Sequence, residues 1–385
     1  MPSGQVEARA SDVLIVGGGP AGAATALALA RVAPDLTVAI VEPKQSGPAT
    51  SLPNVGEAVP PIIHPFLSEL RVLDAFEAAA HAPSYRTLSA WGGPALVANE
   101  FLLHTEPIGW RLDRARFDAM LLAEATARGT VRIPSRLIGL ARSSDGWVAD
   151  LGSFSHHAAR IVVDATGRAA IASRLAGRRV ERCDRQIAAV AVLGPLPSPT
   201  EECDVIHDPD VDVVVTEACR EGWWYTVGLP GGARVVAMMT DGDIAHRLNF
   251  KHAAGFCAAL MMTDHVARLV ARHGAPARQV RAKPRLVAAG SVRIAVAAEQ
   301  GLIAVGDAAM AFDPIAALGI VKALRSGLHA SYAIADALVA GDQRGFVRYQ
   351  ALAERDYASY HRRYAEVYRE EARWPTAPYW ARRRG

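Results

Sequence analysis

Four short apolar runs punctuate this chain: VLIV at 13–16, VAIV at 38–41, IVV at 161–163 and LIAV at 302–305, each followed at once by glycine, aspartate or glutamate. Unbroken apolar runs of this length, bounded by turn residues, predict strands buried on both faces of a parallel sheet. After the first run comes a glycine turn and then a helix, expected through Ala23 to about Val32. The stretch from about 185 to 285 reads differently. IAAVAVLG, VDVVVTEA, WWYTVGLP and ARVVAMMT are β-branched runs separated by Gly, Pro and Asp turns, and a helix is expected near 251–273. Trp223, Trp224 and Tyr225 alternate along one of these strands, so Trp223 and Tyr225 share a face. Later, Tyr360, Tyr364 and Tyr368 recur every four residues as the stripe of a helix expected to stop near Trp374, because Pro375 cannot continue it.

The segment from Val13 to Ala30 carries no charge over 18 residues, whereas a membrane-spanning helix needs about 20 apolar ones. Its centre holds Gly17, Gly18, Gly19, Pro20 and Gly22, residues that oppose a helix. Glu7, Arg9 and Asp12 give a mixed-charge lead-in unlike a secretory signal. No membrane span and a cytoplasmic location are therefore expected. Gly17, Gly19 and Gly22 instead form G-x-G-x-x-G between a strand and a helix, and Glu42 closes the second strand 20 residues after Gly22. In that setting Gly17 permits the tight turn, Gly19 admits a pyrophosphate and Gly22 lets helix and strand pack, with Pro20 and Ala21 beside them as cofactor-binding candidates. Glu42 is placed to accept hydrogen bonds from a ribose. NAD and FAD satisfy this pattern equally.

Length and charge narrow the class. A chain of 385 residues, 51% hydrophobic, can bury one large core or two joined ones, so two or three domains are expected. Cys183, Cys203, Cys219 and Cys257 lack C-x-x-C spacing, which indicates neither a disulfide framework nor a metal site. Net charge is +3, but the tail from His361 onward holds seven Arg against three Glu, a local +4, leaving about −1 elsewhere. Basic charge is thus local, and nucleic-acid binding is not expected.

Two further strands end in glycine–aspartate sites. Asp164 and Gly167 follow 161–163 in DATGR, and Gly306 and Asp307 follow 302–305 in GDAAMAFDP. In an open α/β sheet ligands bind at the carboxyl ends of the strands, so both aspartates are expected to face a cleft. Asp307 is placed to hydrogen-bond a ribityl hydroxyl. The helix after Gly319 and Ile320 would aim its N-terminus at a flavin ring carbonyl.

With these motifs together, Gly17 to Gly22, Glu42, VGEAVPP at 55–61, DRARFD at 113–118, DATG and GDAAMAFDP, the chain resembles the FAD-dependent aromatic monooxygenases and their relatives, the flavin-dependent halogenases. The resemblance implies an α/β, two-domain (α+β) architecture: a glutathione-reductase-like Rossmann FAD domain with a mostly antiparallel β-sheet substrate domain, as in para-hydroxybenzoate hydroxylase-type monooxygenases. The FAD domain is expected in segments 1–80, 105–183 and 285–340, the substrate sheet in 81–104 and 184–284, and a helix with a basic aromatic tail in 341–385. Arg114 matches the family arginine that contacts FAD, and Pro314 the proline beside the flavin ring. Glu57 and His64, flanking a Pro-Pro turn, are catalytic candidates with Pro314, while Trp223 and Tyr225 are substrate candidates.

The resemblance implies non-covalent FAD, oxygen as co-substrate, and hydroxylation of an electron-rich aromatic ring through a flavin C4a-hydroperoxide. No second glycine fingerprint follows residue 42, so electrons are expected from NAD(P)H docking transiently or from a partner flavin reductase. A halogenase would add a W-x-W-x-I-P stretch and a lysine between flavin and substrate. WWYTVG offers only part of the first, and no lysine lies between Lys44 and Lys251. An isoprenoid-type reductase shares the FAD motifs and stays open. The region of Gly56, GWRLDRARFD and the aromatic tail further resembles flavoproteins that hydroxylate a tryptophan within a partner protein during tryptophylquinone maturation. On that reading a tryptophan-bearing peptide or protein docks over the substrate sheet, and the tail arginines meet acidic groups on it.

Overall fold

The computed structural model describes residues 9–43, 58–102, 105–152, 155–194, 213–229, 233–271, 283–299 and 301–384. The apolar runs become the middle of an eight-stranded sheet. Arg9–Val16 lies at its centre, parallel to Val38–Glu42 on one side and to His156–Asp164 on the other. Leu302–Ala304 and Val131–Pro134 extend the parallel part outward, and Gly146–Asp150 adds an antiparallel flank. All five parallel strands point their carboxyl ends the same way, where Gly17, Glu42, Asp164 and Gly306 follow.

One face of this sheet is covered by two helices, Pro20–Val32 and Gly319–Leu338. Alanine and glycine let them approach closely. A Cβ on Gly327 would lie 2.7 Å from the carbonyl oxygen of Ala21, so this crossing requires glycine.

A seven-stranded sheet stands beside the first, ordered Arg285–Ala288, Gln186–Leu193, Arg234–Asp241, Gly222–Gly228, Val214–Cys219, Arg86–Ala90 and Val97–Glu100. It is antiparallel except between Val214–Cys219 and Arg86–Ala90. Side chains alternate across it. Trp223, Val235, Ala237 and Met239 pack on one face with the C-terminal tail; Trp224, Val236 and Met238 pack on the other with the helices after residue 250.

Those helices depart from the single one expected over 251–273. Ala253–Leu260 and His265–Ala271 are separate and bent by 117°. The cause is Glu217, whose buried carboxylate accepts from the backbone amides of Asp264, His265 and Val266 at 2.7, 3.0 and 2.8 Å, so it starts a new helix there. Similarly, the tyrosine-striped helix Arg344–Glu370 ends short of Trp374. Glu371 turns its carboxylate onto the amides of Gly92 and Arg373, which fixes an extended residue before proline is reached. Among the described residues no single helix is long and apolar enough to cross a membrane.

Candidate functional site

The four glycines after Val16 do different work. Gly17 has φ +107°, and a Cβ there would meet the carbonyl oxygen of Ala165 at 2.4 Å. On Gly22 a Cβ would lie 2.0 Å from the carbonyl oxygen of Gly17, and on Gly18 it would strike the Glu42 carboxylate at 2.1 Å. These three hold the turn against its neighbours. Gly19 is different, because a Cβ on it would meet nothing within 4 Å. The protein keeps open space in front of that residue.

The open space is a cleft of about 580 Å³ at the carboxyl ends of the parallel strands. Gly19, Pro20 and Ala21 border it from one helix start, Pro314, Gly319 and Ile320 from another, and Arg114, Gly167 and Asp307 from between. A Cβ on Gly167, at φ +63°, or on Gly319 would likewise meet nothing within 4 Å. Neither helix N-terminus is capped by a side chain. Two sets of first-turn amides therefore remain to be met, and three glycines leave room for the group that meets them. This is a cradle suited to an extended, phosphate-bearing cofactor.

Charge in the cradle is arranged around Asp307. Lys322 Nζ donates to its Oδ1 at 2.7 Å, and Arg168 Nε stands 3.7 Å from Oδ2. Burial pushes this carboxyl up, but Lys322 and Arg168 more than offset that and leave it below the usual carboxylate value. Lys322 also donates to the carbonyl of Met310 and lies over the Phe312 ring, so its ammonium is committed. Arg114 pairs with Asp118 at 3.1 Å on the same helix face. Glu42 pairs with Arg132 at the edge of the sheet, beside Gly18, while Gly306, at φ +58°, packs against Ala21.

Several expectations need correction. Asp164 does not face the cleft. It is fully buried, and its carboxylate accepts from Thr166 N at 3.1 Å, Thr166 Oγ1 at 2.6 Å and Ser173 N at 2.8 Å, so it ties the DATG turn to the following helix. His64 opens the His64–Glu69 helix with Nδ1 3.7 Å from Glu106 and does not border the cleft. Trp223 is 1% exposed beneath the tail and donates to Tyr368 OH at 3.1 Å; neither it nor Tyr225 lines the cleft. Glu57 lies outside the described residues.

The tail arginines also turn inward. Arg383 donates to both oxygens of Asp241, and Arg382 bridges Asp241 and Asp243 at 2.7 and 2.7 Å. Tyr379 and Trp380 are completely buried against the sheet. Charge and aromatic content that read as an outward extension instead complete a core, because the tail supplies the cover for the sheet face carrying Trp223.

Residues missed from sequence stand at the far end of the cleft. Ala188, Arg285, Val287 and Ala289 line it from the antiparallel sheet, and Asp313 borders it next to Pro314. Asp313 is 1% exposed and accepts from Gln186 Nε2 at 2.9 Å and Tyr368 OH at 2.8 Å. Burial pushes its carboxyl up to about 6, against opposing hydrogen bonds from Ile315 and Tyr368. The phrase FDP could have flagged Asp313; nothing local flags Arg285. Phe312 stacks on Tyr360 with ring centroids 4.0 Å apart, closing the wall between this cleft and the tail.

Comparison with known proteins agrees with this geometry. The tryptophan halogenase family profile matches residues 12–94. LodB of Marinomonas mediterranea, which carries the provisional name of an FAD-dependent oxidoreductase, is 29% identical over 378 residues, covering 97% of this chain and 96% of LodB. Among solved structures, the myxobacterial chondrochloren halogenase CndH superposes with a TM-score of 0.82 at 21% identity, covering 98% of this chain and 86% of its own. QhpG, a peptidyl tryptophan dihydroxylase essential for tryptophylquinone cofactor biogenesis, superposes with a TM-score of 0.75 at 22% identity, covering 97% and 79%. These last two likenesses are of fold.

Proposed function

We propose that this chain is an FAD-dependent oxidoreductase related to the flavin-dependent halogenases, and that it is a monooxygenase hydroxylating an electron-rich aromatic ring, the side chain of a tryptophan held in a peptide or protein. The observation that carries the choice of hydroxylation is the position of the lysines. Of the three described, Lys322 is spent on Asp307 and Met310, and Lys251 and Lys283 do not border the cleft; Lys44 lies outside the described residues. No described ammonium group stands where a halogenating species would have to be held. The fold likeness to QhpG supports the peptidyl substrate.

In this reading the chain divides as its motifs suggest, with the parallel sheet for the cofactor and the antiparallel sheet for the substrate. Gly19 and the amides of the Pro20 helix would receive the pyrophosphate, Glu42 the adenosine ribose, and Asp307 the ribityl chain, with Arg114 alongside. Pro314 and the N-terminus of the Gly319 helix, which line the cleft, would hold the flavin ring, the helix N-terminus favouring negative charge there. FAD, when bound, supplies the redox and oxygen chemistry. The chain's own task is to orient the ring and exclude water with Ala188, Val287, Ala289 and Leu318, while NAD(P)H or a partner flavin reductase supplies electrons from outside.

The test has two parts. Acid precipitation of the purified protein should release FAD into the supernatant. Co-expression with neighbouring protein partners, followed by intact-mass analysis in chloride and bromide, should show one or two oxygen atoms added at tryptophan. A halogen isotope pattern in the product would establish the second reading, a halogenase, which the likeness to CndH favours.

A further inference from the structure

We propose that Arg285 is the substrate-recognition cation of the cleft, and that the aromatic substrate carries a carboxylate beside its ring. This rests on the monooxygenase reading and narrows its substrate. Arg285 sits on Arg285–Ala288, the end strand of the antiparallel sheet, opposite Val190, with Val287 opposite Ala188. Residues two apart on a strand project from one face, so the guanidinium and the Val287 side chain enter the cleft together. Around them the wall is small and apolar: Ala188, Ala289 and Leu318.

Three arginines border this cleft, and two are committed. Arg114 binds Asp118; Arg168 donates to the carbonyl oxygens of Gly290 and Phe312 and faces Asp307. Arg285 is half-buried, its Nε is out of reach of solvent, and among the described residues neither a carboxylate nor a carbonyl meets it. A donor buried beside apolar walls without an acceptor is destabilising, and the cost is recovered when a ligand brings the acceptor. The planar fork of a guanidinium matches a carboxylate in two parallel hydrogen bonds. That carboxylate has two sources: a free aromatic acid, or an acidic side chain next to the aromatic residue of a peptide.

The experiment compares matched acid and amide probes on the FAD-loaded protein, read by perturbation of the flavin absorbance. One pair is indole-3-acetate and indole-3-acetamide; the other is a capped Glu-Trp-Glu tripeptide and its Gln-Trp-Gln counterpart. The wild type should bind at least one acid about 10- to 100-fold more tightly than its amide, the size expected for a charged hydrogen bond. Which pair shows it identifies the source, and salt should shrink the ratio. Arg285→Gln should bring the ratio to about one by weakening the acid alone, and Arg285→Lys should keep part of it. The proposal is overturned if neither acid binds, if the wild type treats acid and amide alike, or if Arg285→Gln keeps the preference. Loss of FAD affinity in Arg285→Gln overturns it too, since the arginine would then serve the cofactor. Failure of the monooxygenase reading looks different: a wild type that retains no flavin, or one that adds no oxygen.

Discussion

The two ends of the cleft are built on opposite plans. At the end bordered by the glycine turn, the residues that shape the cleft are neighbours in sequence: Gly17, Gly18, Gly19 and Gly22 in one turn, Gly306 and Asp307 in another, with Gly17, Gly18, Gly22 and Gly306 required by close packing or positive φ and Gly19 keeping open space. At the other end, Ala188, Arg285 and Asp313 come from separate stretches, and Asp313 is held in place by side-chain hydrogen bonds with Gln186 and Tyr368, Gln186 in turn accepting from Tyr379. Phosphate binding uses peptide amides and free space, so a short motif can encode it. Substrate shape uses side chains fixed by long-range packing, so it can vary without disturbing the cofactor.

The sharpest way to break this comparison is within one turn. Gly22→Val should prevent folding, since its Cβ would sit 2.0 Å from a backbone oxygen. Gly19→Val, whose Cβ meets nothing within 4 Å, should fold with a thermal transition close to wild type yet lose FAD affinity by roughly 100-fold or more, about 2.7 kcal/mol. If both behave alike in a thermal melt, the distinction between structural and ligand-facing glycines is wrong.

A second test addresses the tail. Trp380→Ala removes a completely buried indole whose Nε1 donates to the carbonyl of Cys219 at 2.9 Å, and should destabilise the protein by about 3–5 kcal/mol in denaturant unfolding. A tail that merely docks a partner would give almost no change in stability. The same packing means that truncation after Arg373 perturbs the sheet itself, so it cannot isolate partner binding.

Smaller effects probe the charges. Asp313 has its carboxyl raised from 3.8 to about 6 by burial. A group that holds its proton more tightly when folded favours folding below its unfolded value and opposes it above its folded one, so stability should fall as pH rises from about 4 to 6. Asp313→Asn should flatten that slope, by about 1–3 kcal/mol, in unfolding curves taken across the window. Asp243 shows the opposite sign. A hydrogen bond from Arg382 holds its carboxyl down to about 2, so its contribution is present above pH 4 and lost as pH falls toward 2. Because Asp243 is largely exposed, Asp243→Asn should cost under about 1 kcal/mol at neutral pH.

The sequence alone determined the parallel sheet and its glycine turn, because both follow from rules that act over a few residues: apolar runs need burial on two faces, and a G-x-G-x-x-G turn needs positive φ and close approach wherever it occurs. It also placed Asp307 and Gly319 along one cleft through motifs whose strand-to-helix context was readable, and the family resemblance added Arg114 and Pro314. Only the tertiary structure decided which polar groups face that cleft. Asp164 and Asp307 each end an apolar strand, yet one is consumed by the amides of its own turn and the other is held toward the cleft by Lys322 and Arg168. Trp223 and Arg383 read as surface for ligands and became core, because 140 or more residues separate each from the partner that buries it: Tyr368 for Trp223 at 145, Asp241 for Arg383 at 142. A local pattern states what a side chain can bind; which partner reaches it first is settled by how distant strands and the tail pack.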